Sequence, residues 1–300
     1  MQFYFGRRTL ICVCLMVTSC ARTHAEELWA QVSGAKALAH VQKLVDFGPR
    51  PPASEAIEKA RAYIREQLKS FGWSVTEQPF TNHTPRGEMR FVNLIAQFGN
   101  NLKSDGLFLL SSHYDTKIFD TFRFVGANDG GSSAGLLLEL ARVLARNPDL
   151  AMNIEIVFFD GEEAIEEFSS TDGIYGSRYF AYELTHGGSA KSFRGGILFD
   201  MIGDRDLKVT IPPNSPPKIA RDIFASANAL KVRAHFTYFA QDVTDDHTPL
   251  NAVGVPVIDL IDFRFSYWHT ADDTIDKISA QSLQMVGSVA IYYLSGFAFK

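Results

Sequence analysis

In the stretch Ile156-Val-Phe-Phe-Asp160-Gly-Glu-Glu-Ala164, an apolar run is followed by two adjacent glutamates. Its first four residues are apolar, which is typical of a short strand buried on both faces of a sheet. Such a strand delivers Glu162 and Glu163 to the carboxyl edge of the sheet, where ligands of open α/β sheets bind. Neighbouring residues in a turn point in different directions, so one glutamate can hold a cation while the other moves a proton. The alternative for this stretch alone is a solvated acidic loop.

Apolar runs and amphipathic helices alternate along the whole chain, which indicates one large α/β domain. The pattern predicts strands at residues 74–80, 89–98, 107–112, 154–159, 196–202 and 255–261, with an edge strand at 208–211 that Pro212-Pro213 stops. It predicts helices at residues 26–47, from 55 to 71, from 132, at 175–184, at 217–229, near 248 and at 280–297.

Further acids and histidines follow these predicted strands or lie in the loops beyond them. They are His113-Tyr-Asp115, Asp129, Asp200, Asp245-Asp246-His247 and Trp268-His269. Such a set at one sheet edge is typical of a metal-dependent hydrolase or transferase site.

The N-terminus predicts export. Residues 1–19 contain no acid, carry Arg7 and Arg8, and run apolar from Leu10 to Val17, as signal peptides do. The segment ends Val17-Thr-Ser-Cys20, which resembles the lipobox of bacterial lipoproteins.

We therefore expect a signal peptide at 1–19, a linker at 20–33 and a catalytic domain at 34–300. The only membrane contact would be a lipidated Cys20 that anchors the protein to the bacterial envelope, facing the periplasm or at the cell surface. The alternative is an ordinary secretory signal cleaved near Ala25.

The cysteine content argues against a disulfide-stabilised protein, and the charge argues against a nucleic-acid-binding protein. All three cysteines, Cys12, Cys14 and Cys20, lie in the N-terminal segment, so a mature chain has no disulfide and depends on its core alone. Without Arg7 and Arg8 the chain has 27 basic and 34 acidic residues, a net charge of −7, and it has no basic tract. Nucleic acid is therefore not an expected partner.

The residue types suit a zinc site. Catalytic zinc takes three ligands from His, Asp and Glu and keeps one position open, and Asp129, Glu163 and His269 would satisfy this requirement. His113 and Asp200 would either complete a second metal site that shares Asp129 or orient the first ligands by hydrogen bonds. The structural alternatives are a core histidine for His113 and a turn cap for Asp200.

Six segments resemble the zinc-dependent glutaminyl-peptide cyclotransferases (glutaminyl cyclases), which share their fold with the two-zinc aminopeptidases. They are His113-Tyr-Asp-Thr-Lys117, Phe124-Val-Gly-Ala-Asn-Asp129, Phe158-Phe-Asp-Gly-Glu-Glu-Ala164, Tyr175-Gly-Ser-Arg178, Asp245-Asp-His-Thr-Pro249 and Trp268-His-Thr-Ala-Asp-Asp273. The resemblance implies a central mixed, mostly parallel β-sheet with helices on both faces. The long link from Ala164 to Ile174 and the Asp-Asp-His and Trp-His-Thr triplets resemble cyclases more than aminopeptidases.

The resemblance also implies roles for individual residues. Zinc would be held by Asp129, Glu163 and His269, and Glu162 would be the general acid/base, with Asp200 and Asp245 as the carboxylates beside it. Trp268 would wall a pocket for peptides or proteins with N-terminal glutamine. Phe168 and Thr244 stand where animal enzymes have a Trp and a Gln, and Arg264-Phe265 occupies the segment of their pocket Phe, which affects substrate preference.

Two other functions are also compatible with these residues. A zinc aminopeptidase would release N-terminal amino acids, and Glu162 would then activate a metal-bound water. A lipid-anchored binding protein without catalysis is the non-enzymatic reading, although no ligand or base position is missing.

Overall fold

The computed structural model describes residues 28–99 and 106–300. The predicted signal peptide, Cys20 and most of the predicted linker lie outside these residues. Eight strands form one sheet: β1 (Trp73–Thr84), β2 (Gly87–Phe98), β3 (Leu107–His113), β4 (Ile154–Phe159), β5 (Phe193–Asp200), β6 (Val209–Ile211), β7 (Phe236–Tyr238) and β8 (Val257–Ile261).

The strand order is β1-β2-β4-β3-β5-β8-β6-β7. The four central strands β4, β3, β5 and β8 run parallel, whereas β1 pairs antiparallel with β2, β2 with β4, and β6 with β8. β4 is fully buried, as its four apolar residues at 156–159 predict. The predicted mixed, mostly parallel sheet is confirmed.

Helices cover both faces of the sheet. They are α1 (Gly34–Asp46), α2 (Glu55–Ser70), α3 (Gly131–Leu144), α4 (Pro148–Ala151), α5 (Tyr175–His186), α6 (Pro217–Ala229), α7 (His247–Ala252) and α8 (Ala280–Tyr293). The larger apolar core contains residues of α1, α2, α3, α6 and α8, and the smaller core on the other face contains residues of α5 and α7. Helices on both faces are therefore also confirmed. In the described part of the chain, no helix combines the length and apolarity needed to cross a membrane.

Four local predictions are wrong. One edge of the sheet is β7, not residues 208–211: β6 lies between β8 and β7, and Phe236-Thr-Tyr238 is not followed directly by turn residues, as β6 is by Pro212-Pro213. From Leu28 onward, where the structure describes the chain, the predicted helix at 26–47 is a 3₁₀ turn (Leu28–Gln31) followed by α1, because Ser33 caps α1 by accepting a hydrogen bond from the Lys36 amide. β5 begins three residues earlier than predicted, at Phe193, and β1 extends four residues beyond its predicted end, to Thr84.

The end of the predicted linker packs against the domain. Leu28 and Val32 are buried in the larger core. The Ser33 amide donates to Glu139 on α3 over 2.7 Å, and Arg142 donates to the Gln31 carbonyl over 3.0 Å. The described residues ahead of α1 are therefore part of the folded unit.

Candidate active site

A pocket of about 690 Å³ lies at the carboxyl edge of the central strands. His113 and Asp200 are the last residues of β3 and β5, and Glu162 and Glu163 follow β4. Nine of the ten residues that the sequence predicts for the site line this pocket: Asp129, Glu162, Glu163, Phe168, Asp200, Thr244, Asp245, Trp268 and His269. The tenth, His113, is buried and contacts Asp200 and Asp129.

Asp129, Glu163 and His269 form one cluster of donor atoms. The His269 Nε2 atom lies 3.2 Å from Glu163 Oε1 and 3.4 Å from Asp129 Oδ2. All three come from loops, and Glu163 follows Gly161, whose φ of 71° favours glycine. The Phe119 and His269 rings pack in a T-shaped arrangement with centroids 5.6 Å apart, which restrains the imidazole.

This cluster fits zinc. Bonds of about 2.0 to 2.2 Å in tetrahedral geometry place neighbouring donor atoms roughly 3.3 Å apart, which is the spacing observed. Asp129 Oδ2 is buried without a hydrogen-bond partner, so one acceptor atom of the cluster is unsatisfied. Two carboxylates and one imidazole are also the donor types that suit zinc.

Electrostatics indicates the same need for a cation. Burial lowers the pKa of His269, but the neighbouring carboxylates of Asp129 and Glu163 outweigh burial and raise it to about 10. Burial and the charge of Asp129 raise the pKa of Glu163 to about 7, against the opposing effect of His269. Two buried carboxylates thus compete for one imidazole, and a divalent cation would relieve both.

Two buried aspartates fix the backbone of the cluster. Asp115 accepts hydrogen bonds from the Glu162 and Glu163 amides over 3.1 and 3.2 Å. Asp273 accepts from the Asn128 and Asp129 amides over 2.7 and 3.1 Å. Each carboxylate therefore holds one loop that carries a candidate ligand. Asp115 and Asp273 lie in the characteristic sequence segments, but nothing in these segments predicts that their side chains bind main-chain amides.

His113 forms a second donor cluster with Asp129 and Asp200. Its Nε2 atom lies 3.3 Å from Asp129 Oδ1 and 3.2 Å from Asp200 Oδ1, and its Nδ1 atom lies 3.4 Å from Asp115 Oδ1. Burial lowers the pKa of His113, but the carboxylates of Asp115, Asp129 and Asp200 outweigh burial and raise it well above its ordinary value. The spacing serves either a protonated imidazole among carboxylates or a second metal, so both predicted roles of His113 and Asp200 stay open.

Glu162 is adjacent to the first cluster but separate from it. Its Oε2 atom is 4.0 Å from His113 Nδ1, and its side chain is 14% exposed to the pocket. Burial raises its pKa well above the ordinary value; the His113 charge opposes this shift and the Asp245 charge adds to it. Glu162 is thus a strong carboxylate base with access to a bound ligand.

A group of buried acids lies beside Asp245. Asp246, His247 and Asp259 are fully buried, and neither Asp259 oxygen has a hydrogen-bond partner among the described residues. His247 Nδ1 is 3.7 Å from Asp259 Oδ2, and Asp245 supplies a third donor atom within 4.8 Å of both. Sequence reasoning missed Asp259, although an aspartate inside the apolar run of β8 was a usable signal.

The pocket walls come from three segments. Phe168 belongs to the link between Ala164 and α5, which Asp172 folds by accepting hydrogen bonds from the Ile165 and Glu166 amides over 2.7 and 2.9 Å. Trp268 precedes His269, and their ring centroids are 4.4 Å apart. Thr244 precedes Asp245 and also lines the pocket.

Asp160 has a structural role instead. Its carboxylate accepts from the Val92 amide over 2.8 Å and pairs with Arg61 at 3.4 Å, which ties β4 to β2 and α2. It does not line the pocket.

Comparison with known proteins supports an enzymatic site. A model of peptidase family M28 matches residues 93–294. The glutaminyl-peptide cyclotransferase of Bothrops jararaca is 31% identical over 284 residues, which cover 82% of this chain and 76% of that protein. A glutaminyl cyclase structure from an Acidobacteriales bacterium matches with a TM-score of 0.81 and 34% identity, covering 88% of this chain and 94% of that one. A Zn-dependent exopeptidase from Parabacteroides distasonis matches with the same TM-score at 25% identity, covering 89% and 99%.

Proposed function

The chain belongs to peptidase family M28 and to the glutaminyl-peptide cyclotransferases, and from this premise we propose how it converts N-terminal glutamine of peptides or proteins to pyroglutamate with release of ammonia. The observation that carries the mechanism is the separation of two adjacent glutamates. Glu163 contacts His269 in the donor cluster, whereas Glu162 faces His113 and the pocket. One side chain is therefore available for metal binding and the other for proton transfer.

Asp129, Glu163 and His269 would hold zinc. Their spacing, the unpartnered oxygen of Asp129 and the donor types support this assignment. When bound, zinc would polarise the γ-carbonyl of the substrate glutamine as a Lewis acid.

Glu162 would move one proton during the reaction. It accepts the proton from the α-amine as the amine nitrogen forms its bond to the γ-carbon. It then returns the proton to the amide nitrogen as the carbon–nitrogen bond breaks, so ammonia leaves and the five-membered ring remains. No water is consumed. The raised pKa of Glu162 makes it a stronger base for the first step and still allows it to donate in the second.

The other pocket residues would position the substrate and stabilise the proton on Glu162. Negative charge on Asp245 favours the protonated form of Glu162. Asp200 holds His113 over 3.2 Å and so fixes the group behind Glu162. Trp268, Phe168 and Thr244 line the pocket in which the glutamine would adopt the folded conformation that places the amine near the γ-carbon.

Aminopeptidase activity is the second candidate because of the His113 cluster. Its donor spacing equals that of the first cluster, as a two-metal site would require. The fold does not discriminate, because the exopeptidase and the cyclase match with the same TM-score. Higher identity to the cyclase and the pocket wall built by residues 164–174 favour cyclisation.

Mass spectrometry of one Gln-initiated peptide separates the two activities. We expect the intact peptide to lose one ammonia and to keep all its residues. Free glutamine with a shortened peptide would instead establish the aminopeptidase. A Leu-initiated peptide is the control, since only an aminopeptidase shortens it.

We also propose that the mature protein is exported and anchored through lipidated Cys20. The support is the sequence pattern Val17-Thr-Ser-Cys20 after an apolar run, outside the residues that the structure describes. Attachment through several acyl chains suffices for stable anchoring, whereas one chain does not.

A further inference from the structure

The outer part of the pocket is an aromatic groove that exceeds the needs of a glutamine side chain. Trp268 and Phe168 line it and are 45% and 48% exposed. Phe263 meets Trp268 edge-on with ring centroids 5.8 Å apart and stacks on Phe239 at 5.2 Å. The pocket volume of about 690 Å³ lies within the range of about 300 to 1,000 Å³ that holds drug-sized ligands. There is thus room for the residue that follows the glutamine.

The rim of this aromatic groove is acidic. Glu166, Glu167 and Asp242 line it and are all exposed. Among the described residues, Lys117 is the one lysine or arginine that lines the pocket, and its Nζ donates to the carbonyl oxygens of Ala164 and Glu166 over 2.7 and 3.2 Å.

Two of the three rim acids keep their negative charge uncompensated. Arg86 lies 3.9 Å from Glu166. In the described part of the chain no basic group comes within 4.0 Å of Glu167 or Asp242. The charge of this rim therefore favours a ligand that carries positive charge.

Resting on the proposed function, we propose that the aromatic groove binds a basic side chain, best an arginine, at the position after the N-terminal glutamine. A guanidinium is planar and stacks on aromatic faces, so it matches Trp268 and Phe168. It also presents several N–H donors to carboxylates, so it matches Glu167 and Asp242. A neutral aromatic side chain would stack on Trp268 and Phe168 but would make no ion pair with Glu167 or Asp242. An acidic side chain would be repelled.

The test compares peptides that differ only in the second residue: Gln-Arg, Gln-citrulline, Gln-Phe and Gln-Glu, each with the same neutral tail. Citrulline keeps the shape and planarity of arginine but has no charge. From the modest strength of exposed ion pairs and cation–π contacts, we expect kcat/KM for Gln-Arg to exceed that for Gln-citrulline by about fivefold to thirtyfold at low salt. The ratio should fall when salt is added, because these charges are exposed.

The variant Glu167→Gln/Asp242→Asn should bring the Arg-to-citrulline ratio close to one. The readout is a ratio, so a general loss of activity cancels. Glu66→Gln, on the exposed side of α2, is the matched control and should keep the wild-type ratio. A wild-type ratio near one, a ratio that the double variant leaves unchanged, or a salt-independent preference for Gln-Phe would overturn the proposal. If no Gln peptide loses ammonia, the proposed function fails, and equilibrium binding of the Arg and citrulline peptides still tests the groove.

Discussion

Replacing Asp273 by Asn should weaken metal binding although Asp273 is not a candidate ligand. The Asp273 side chain is fully buried, and its two oxygens accept from the Asn128 and Asp129 amides over 2.7 and 3.1 Å. An asparagine oxygen can replace one of these bonds, but its NH₂ group would then face the second amide. The substitution therefore disturbs the backbone of Asp129 without removing any donor atom.

The size of the effect follows from these contacts. Losing one hydrogen bond to a charged group costs about 1.5 to 3 kcal/mol of folding free energy. The substitution also removes a negative charge that stabilises the buried Arg50 guanidinium. The Nη1 atom of Arg50 donates to the Val125 carbonyl over 2.8 Å. Outer partners of metal ligands typically change metal affinity by about 10- to 100-fold. We expect a loss of zinc affinity in that range.

Competition with a chelating dye measures the zinc affinity, and urea unfolding of the zinc-free protein measures the stability. Asp272→Asn is the matched control, because Asp272 is the neighbouring residue but is exposed. Zinc affinity of Asp273→Asn within about threefold of the wild type, well short of the usual outer-partner effect, would refute the reasoning that this carboxylate positions Asp129.

Three further predictions concern the metal, the anchor and the packing. Purified protein should contain one tightly bound zinc that Asp129→Ala abolishes; two equivalents, of which His113→Ala removes one, would favour the aminopeptidase. Wild-type protein should partition into detergent and Cys20→Ser into water; equal aqueous partitioning of both would identify an ordinary cleaved signal. Gly135→Ala should lower the unfolding free energy in urea by about 1 to 3 kcal/mol, because the added Cβ would lie 2.5 Å from Val41 Cγ2 and 2.9 Å from the Ala37 carbonyl oxygen. An unchanged urea midpoint would show that α1 and α3 can separate at no cost.

The central sheet was predictable because its strands are fully buried. β4 has the predicted bounds and β3 is one residue longer, since continuous apolar runs bounded by polar turns leave few alternatives. β7 was not predicted, because Phe236-Thr-Tyr238 is not followed directly by turn residues, and its pairing with β6 moved the edge of the sheet. The equally short β6 was predicted because Pro212-Pro213 marks its end.

The residues that line the pocket were largely predictable, whereas the buried aspartates that hold its loops in place were not. Residues that follow parallel strands come to the same edge of the sheet, and Glu163 and Asp200 accordingly line one pocket. Asp115 and Asp273 bind main-chain amides of loops far away in sequence, and such contacts depend on the tertiary fold. Glu167 and Asp242 resemble ordinary surface acids until the fold places them on one rim.

The rate of ammonia release by Glu162→Gln tests the central claim most directly. Glutamine keeps the shape of the side chain but cannot accept a proton, and general acid/base groups contribute about 10²- to 10⁴-fold. We predict that turnover of a Gln-initiated peptide falls at least about 100-fold while zinc content is unchanged, because Glu163 and not Glu162 contacts His269. Near-normal ammonia release by this variant would contradict the assignment of Glu162 as the proton-transferring group.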